Sequence, residues 1–413
     1  MVFARRLSVV LTRAHVVEQR HRAAILMGVS AAAFLGPFTQ TVYAPSLVEI
    51  GHYFQVSQLA VNWTISGWVL VLAVAGFIVG PLADRFGRRA VLLTGLVIFT
   101  IGSLLCLVAQ RYGWFLAGRM VAALGISACV TMAAVVIGDI YAPDERTDAM
   151  SVYQLLAFLG PVAGPVVGGV FASYLPWQWI FALLTVLSIV VLIGNARILP
   201  ETRPAAAAAQ GTGMQGLGRL LRSRPAWALF LLGFTQLYAY YAFLVHLPVL
   251  LHDQPLSTAE KGLAFLPLTV GLLVGVRLSR WLVGRWHRTL VVNGAASGLA
   301  VAVLALAGLL AINALPLPLL LLFMLLFGLL LGSNLPPQMA ILVNLFSAEK
   351  GAAVGAHASI RFTGGALGPV VSALIGRHFG NSAVIGALGI VLLIVAVLVW
   401  RWLEDPYERP GTV

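Results

Sequence analysis

The sequence predicts an all-α integral membrane protein of 12 transmembrane helices, arranged as two pseudo-symmetric six-helix bundles. Three observations carry this expectation. Of 413 residues, 60% are hydrophobic and only 10% charged, with a mean hydropathy of +0.95. A soluble domain carries about 25% charge. Apolar runs of about 20 residues, enough to cross a bilayer, recur along the whole chain, and a set of residue pairs repeats at an offset of 204. The composition also excludes intrinsic disorder and a disulfide scaffold. Cys106 and Cys129 lie in apolar runs and read as small core residues. A net charge of +12 in a soluble protein would point to nucleic acid. Here it reflects the loop bias that orients membrane proteins, and no nucleic-acid partner is expected.

The 12 runs cover residues 23–47, 60–83, 90–109, 113–140, 149–173 and 177–199, then 226–251, 261–283, 289–312, 317–345, 351–377 and 382–402. Barrel strands would be shorter and alternating. The longest connection, 200–225, holds Pro204, five consecutive alanines and glycines 211, 213 and 216. Such a stretch reads as a linker. The expected organisation is therefore a cytoplasmic segment 1–22, a bundle 23–199, a linker 200–225, a second bundle 226–403 and a tail 404–413. Of the 26 Lys and Arg residues, 21 fall on the side that holds both termini and 3 on the other, with Arg119 and Arg361 inside spans. That split puts both termini in the cytoplasm. The first run is long and lacks a small-residue cleavage site, so it is expected to be retained.

The repeat pairs Glu145-Arg146 with Glu349-Lys350, Ala149 with Ala353 and Phe158 with Phe362. It also pairs Gly160 with Gly364 and Gly164-Pro165 with Gly368-Pro369. Parallel halves of this size are a transporter architecture, with substrate held between them near the membrane midplane.

The loop between spans 2 and 3 reads Gly80-Pro81-Leu82-Ala83-Asp84-Arg85-Phe86-Gly87-Arg88-Arg89. Glycine here serves a tight turn and a close approach. The string resembles the signature of the major facilitator superfamily at this place. The resemblance implies that Gly80, Asp84, Arg85, Gly87, Arg88 and Arg89 form a conformational latch. Asp84 would sit at the start of span 11, where the helix dipole favours a carboxylate. Arg88 would pair with an acid at the end of span 4, for which Asp139 is the candidate. The latch would stabilise the outward-facing state.

Span 5 carries Gly160-xxx-Gly164-Pro165-xx-Gly168-Gly169. Small residues at this spacing let helices touch backbone to backbone. The pattern also resembles the antiporter motif of the drug-efflux branch. Tyr43-Ala44-Pro45-Ser46-Leu47 and the stretch on to Arg89 look like the bicyclomycin-resistance group of drug:proton antiporters, which implies a bacterial inner membrane. Two departures stand out: Thr41 occupies a place that often holds an acid, and Ala122 one that holds glutamine.

Charge inside a bilayer is costly and usually functional. Arg119 in span 4 is linked by the resemblance to proton transfer. Arg361 lies deep in span 11, one turn beyond His357. All 14 acidic residues fall in loops or at span ends, so His246 and His357 are the titratable candidates for proton exchange. Polar and aromatic residues within spans mark a cavity wall: Gln40, Thr41, Tyr43, Trp68, Tyr153, Gln154, Tyr238, Tyr241, Asn334 and Gln338, with the histidines and Arg361.

The function expected is export of small amphipathic molecules by alternating access, in exchange for protons. One alternative is an exporter or exchanger of organic anions held by the membrane arginines. Another is a non-transporting receptor or scaffold. No catalytic cluster, nucleotide loop or metal-ligand spacing is present in the sequence, so no enzyme activity, metal or cofactor is expected. The partners expected are a small-molecule substrate, protons and the lipid bilayer, with the chain as a monomer.

Overall fold

A computed structural model describes residues 2–203, 218–250, 264, 266–312 and 315–405. For 2–18, and for 48, 58, 59, 62, 162, 165, 244–246, 248, 249, 369, 373 and 377, it describes the backbone alone. Among these residues there is no strand. A backbone in lipid must satisfy its own polar groups, which continuous helices do.

The helices are α1 (Val2–Val42), α2 (Leu47–Phe54), α3 (Gln58–Phe86), α4 (Arg88–Leu107), α5 (Tyr112–Ile140), α6 (Arg146–Tyr174) and α7 (Gln178–Ile198). They continue as α8 (Arg224–Leu250), α9 (Leu266–Val283), α10 (Arg288–Ala311), α11 (Leu317–Leu345) and α12 (Lys350–Trp402). Eleven segments of the described residues are long and apolar enough to cross a membrane. Helix α8 stands where the seventh run is expected. The last two runs are both in α12, which bends at Gly380 (φ 80°, ψ 173°).

Two boundaries differ from expectation. The first run is not helical to residue 47: α1 stops at Val42 and a 3₁₀ turn, Ala44–Ser46, follows. Pro45 has no N–H to donate back into the preceding turn, so the α-helical bond pattern stops there. Helix α2 then lies between the first two spans. At the other end α1 is continuous through the expected terminal segment.

The repeat is visible in the packing. Gly160, Gly164 and Gly168 turn the spine of α6 onto α1, where added Cβ atoms would meet the Phe38 amide, Thr41 and the Val42 carbonyl. Gly364 and Gly368 set α12 on α8 at Phe234 and Tyr238 in the same way. Pro165 lies within α6, with its side chain outside the described residues. Gly169 departs from the expected contact pattern: a Cβ there would meet nothing within 4 Å, because it falls on another face of the helix.

Candidate functional site

A cavity of about 140 Å³ lies between the two sets of long helices. Helices α1, α3, α5 and α6 line one side of it, and α8, α9, α11 and α12 the other. Helices α4, α7 and α10 contribute nothing to its wall. Of the expected wall residues, Gln40, Trp68, Tyr153, Gln154, Tyr241 and Arg361 are there. Most of the remaining lining is apolar, including Ile126, Phe158, Leu237 and Phe362, and Tyr240 was not anticipated. Among the described residues, Arg361 is the one charged residue in the lining. It stands 11 residues past the start of α12, or about 16 Å along the helix axis, near the middle of a hydrocarbon layer of about 30 Å.

The other expected wall residues point elsewhere. Thr41 Oγ1 donates to the Pro37 carbonyl at 3.1 Å and reaches the Gly160 carbonyl at 3.3 Å, in the α1–α6 contact. The Asn334 amide donates to the Val292 carbonyl and that of Gln338 to the Leu229 carbonyl. Tyr238 reaches the Ser372 hydroxyl at 3.4 Å. His357 is 2% exposed and stacks parallel to Phe230, with ring centres 6.3 Å apart. These side chains are engaged at helix–helix contacts, although Asn334 Oδ1, Gln338 Oε1 and His357 Nδ1 are buried without a hydrogen-bond partner among the described residues. His246 lies in α8, with its side chain outside the described residues.

Arg119 is not in the cavity wall. It is fully buried, with its guanidinium 4.2 Å from the centre of the Tyr43 ring and 4.3 Å from that of Trp68. Ring faces attract a desolvated cation. None of its three nitrogens has a hydrogen-bond partner among the described residues. Tyr43 is held in turn by a 3.0 Å bond to the Thr64 hydroxyl. Arg119 is thus a caged cation held inside the helix bundle.

At one end of the bundle the charges of the α3–α4 loop are gathered. The Asp84 carboxylate accepts from the Gly351 and Ala352 amides, at 3.1 and 2.8 Å. These are the first free N–H groups of α12, where the helix dipole favours an anion. Arg88 bridges Asp84 and Asp139, each at 3.1 Å. Lys350 Nζ joins Asp139 at 2.7 Å. Gly80 lies against the Gly351 backbone, leaving no room for a Cβ. Gly87 turns the chain with φ +97°, and a Cβ there would collide with Glu201. Arg85 and Arg89 are outside this cluster: Arg85 lies over Phe86, and Arg89 donates to the Ala196 carbonyl at 2.7 Å.

Two members of the cluster were not anticipated. In the sequence Lys350 is one member of the repeat and one of the basic residues on the terminal side, with no partner indicated. Glu201 fell within the supposed linker, yet its carboxylate accepts from the amides of Arg88 and Arg203, both at 2.9 Å. It thereby caps α4, so the connection is tied down through residue 203. Residues 204–217 lie outside those described.

A second cluster joins α6 to the later helices at the same end. Arg288 donates to the Thr147 hydroxyl at 3.0 Å, to Asp405 at 3.1 Å and to the Pro143 carbonyl. Asn344 reaches Asp405 and accepts from Arg146. Nearer the surface, Arg280 pairs with Asp148 at 2.9 Å.

Long helices closing around a central cavity, with charged clusters at one end, define a multi-pass helical membrane protein of the transporter type. The family model "Major Facilitator Superfamily" matches residues 29–317 and 295–413. The chain belongs to that superfamily, whose members are transporters and not enzymes. Among solved structures it is similar to the proton:xylose symporter XylE, with 17% identity, a TM-score of 0.79, and coverage of 94% of this chain and 97% of that one. It is also similar to the human organic anion transporter MFSD10, with 18% identity, a TM-score of 0.71, and coverage of 92% and 99%. At these identities the likeness shows the fold. Among curated proteins, Citrate exporter 1 of Aspergillus niger is 30% identical over 193 residues, 46% of this chain and 37% of the relative. Multidrug resistance protein MdtL of Escherichia coli O81 (strain ED1a) is 31% identical over 179 residues, 43% and 46%. The chain thus spans less than half the length of the curated relatives it matches.

Proposed function

We propose that the chain is a secondary active transporter that exports small amphipathic molecules by alternating access, in exchange for protons. The observation that carries this reading is a cavity walled by both sets of helices and lying beyond a closed charged seam. Its apolar and aromatic lining, with a few polar groups, suits amphipathic guests. The seam supports a latch made by Asp84, Arg88, Asp139 and Lys350. Its release would let α3 and α12 part and open the cavity to the face that carries both termini. That face is the cytoplasmic one in this proposal, because 21 basic residues gather on it. The glycine spine of α6 against α1, together with the likeness to a multidrug resistance protein, supports export. The caged Arg119 is assigned to coupling. The chain acts as a monomer in a bacterial inner membrane.

Everted membrane vesicles carrying the full chain test the proposal. An imposed gradient, acid inside, is expected to drive accumulation of an amphipathic dye, and an uncoupler to abolish it. Accumulation that ignores the gradient overturns proton exchange. Absence of movement in either direction, for every amphipathic compound offered, overturns transport itself.

A further inference from the structure

Several arginines set within the helices are compensated in different ways, and one of them, partly exposed in the cavity wall, is left open. Arg88 has Asp84 and Asp139. Arg288 has Asp405. Arg119 has two ring faces. Arg361 has no acidic partner among the described residues, and its Nε is buried without a hydrogen bond. Its electrostatic neighbours are the hydroxyls of Tyr153 and Tyr241, together with His357. Unlike the other three, it lines the cavity.

We infer that the molecule held in this cavity is a small organic monoanion, a carboxylate on an apolar body of about one ring, with its charge on Arg361. The inference rests on the transporter reading for its biological use, but not for the binding event itself. The wall contains no carboxylate among the described residues, so a cationic guest meets an uncompensated like charge in a medium that screens poorly. An anion supplies the missing partner. A guanidinium presents paired N–H groups that match a carboxylate. The polar groups beside it can all donate: the Tyr153 and Tyr241 hydroxyls and the Gln40 amide, which interacts with Tyr241. Trp68, Phe158 and Phe362 leave the remainder of the space apolar. Its size agrees, because a closed apolar cavity of about 150 Å³ accommodates a benzene ring.

The test uses purified full-length protein in detergent and in proteoliposomes, with benzoate, neutral benzamide and cationic benzamidine as matched probes. Calorimetric titration of the wild type is expected to give benzoate at least ten-fold tighter than either of the others. Arg361→Gln should lose that preference while binding benzamide within about two-fold of wild type. Arg361→Lys should retain part of it. Wild type that binds benzamidine or benzamide as well as benzoate overturns the inference, and this comparison needs no variant to fold. Benzoate binding unchanged in Arg361→Gln also overturns it. Benzoate that binds through Arg361 but does not cross proteoliposomes under any gradient leaves the site intact and overturns the transport reading instead.

Discussion

Two seams close the same end of the molecule by different physics. Where α3 meets α12, the carboxylate of Asp84 caps the partner helix directly and is 2% exposed. The backbones meet at Gly76, Gly80, Gly351 and Gly355. Where α9 meets α6, the first turn of α6 carries its own acid, Asp148. The partner supplies a cation, Arg280, and the side chains are 39% and 56% exposed. Below that pair the helices are joined by the Ser151 and Ser279 hydroxyls at 3.2 Å. The first seam thus stakes a buried charge on contact with a helix terminus. The second relies on a solvated pair and on Arg288 bound to Thr147. Losing a partner should matter far more at a buried charge than at an exposed one, which makes the first seam the sensitive one.

The sharpest way to break this contrast is Arg88→Gln, which leaves the Asp84 carboxylate with the two α12 amides alone and Asp139 with Lys350 and Thr202. Removing one member of a buried ion cluster costs about 3–5 kcal/mol. The expected result is a clear fall in unfolding temperature in detergent, together with faster labelling of a cysteine placed at Ala352. A change no larger than that of a surface variant would show that the seam is not charge-held. Next comes Gly80→Ala, whose new methyl group overlaps the Gly351 backbone. Overpacking of this kind costs about 1–3 kcal/mol and should raise labelling at Ala352 without altering α9–α6 accessibility. Equal opening of both seams would mean that they move as one rigid unit.

Asp84→Asn should have a smaller effect, because it keeps the shape and removes the charge. A carboxylate at a helix N-terminus contributes about 0.3–1 kcal/mol, and up to ~2 when partly buried. That is a several-fold shift in a nearly balanced two-state equilibrium, readable as weaker transport with normal membrane insertion. Wild-type transport and unchanged accessibility on both faces would remove Asp84 from the latch. The smallest effect belongs to Asp148→Asn. An exposed pair is worth about 0–1 kcal/mol, so transport and labelling should stay near wild type. A loss as large as that of Asp84→Asn would erase the distinction between the seams.

The long helices were legible in the sequence because a lipid-spanning helix must be apolar throughout its length. The glycine contacts of α6 and α12 were legible because close approach leaves few residue choices. Asp84 and Arg88 stand together in a dense local motif, whereas Asp139, 51 residues further on, was reached only through the family resemblance. What hydropathy cannot give is the rotation of each helix about its axis. A helix apolar all round gives little sign of which stripe faces the cavity. Asn334 and Gln338 were therefore read as wall, though both spend their amides on neighbouring carbonyls. Glu201 was missed for a related reason: an acid in a Pro- and Ala-rich stretch looks solvated until the helix end that it caps is seen.

Trp68 belongs to two places at once. Its indole forms part of the cavity wall and also one cushion of the Arg119 cage. A guest settling into the cavity therefore leans on the same flat partition that holds a cation in place beyond it. The ring is also an optical probe at that partition, and in a variant whose other nine tryptophans are replaced by phenylalanine its emission should change colour as the cavity fills.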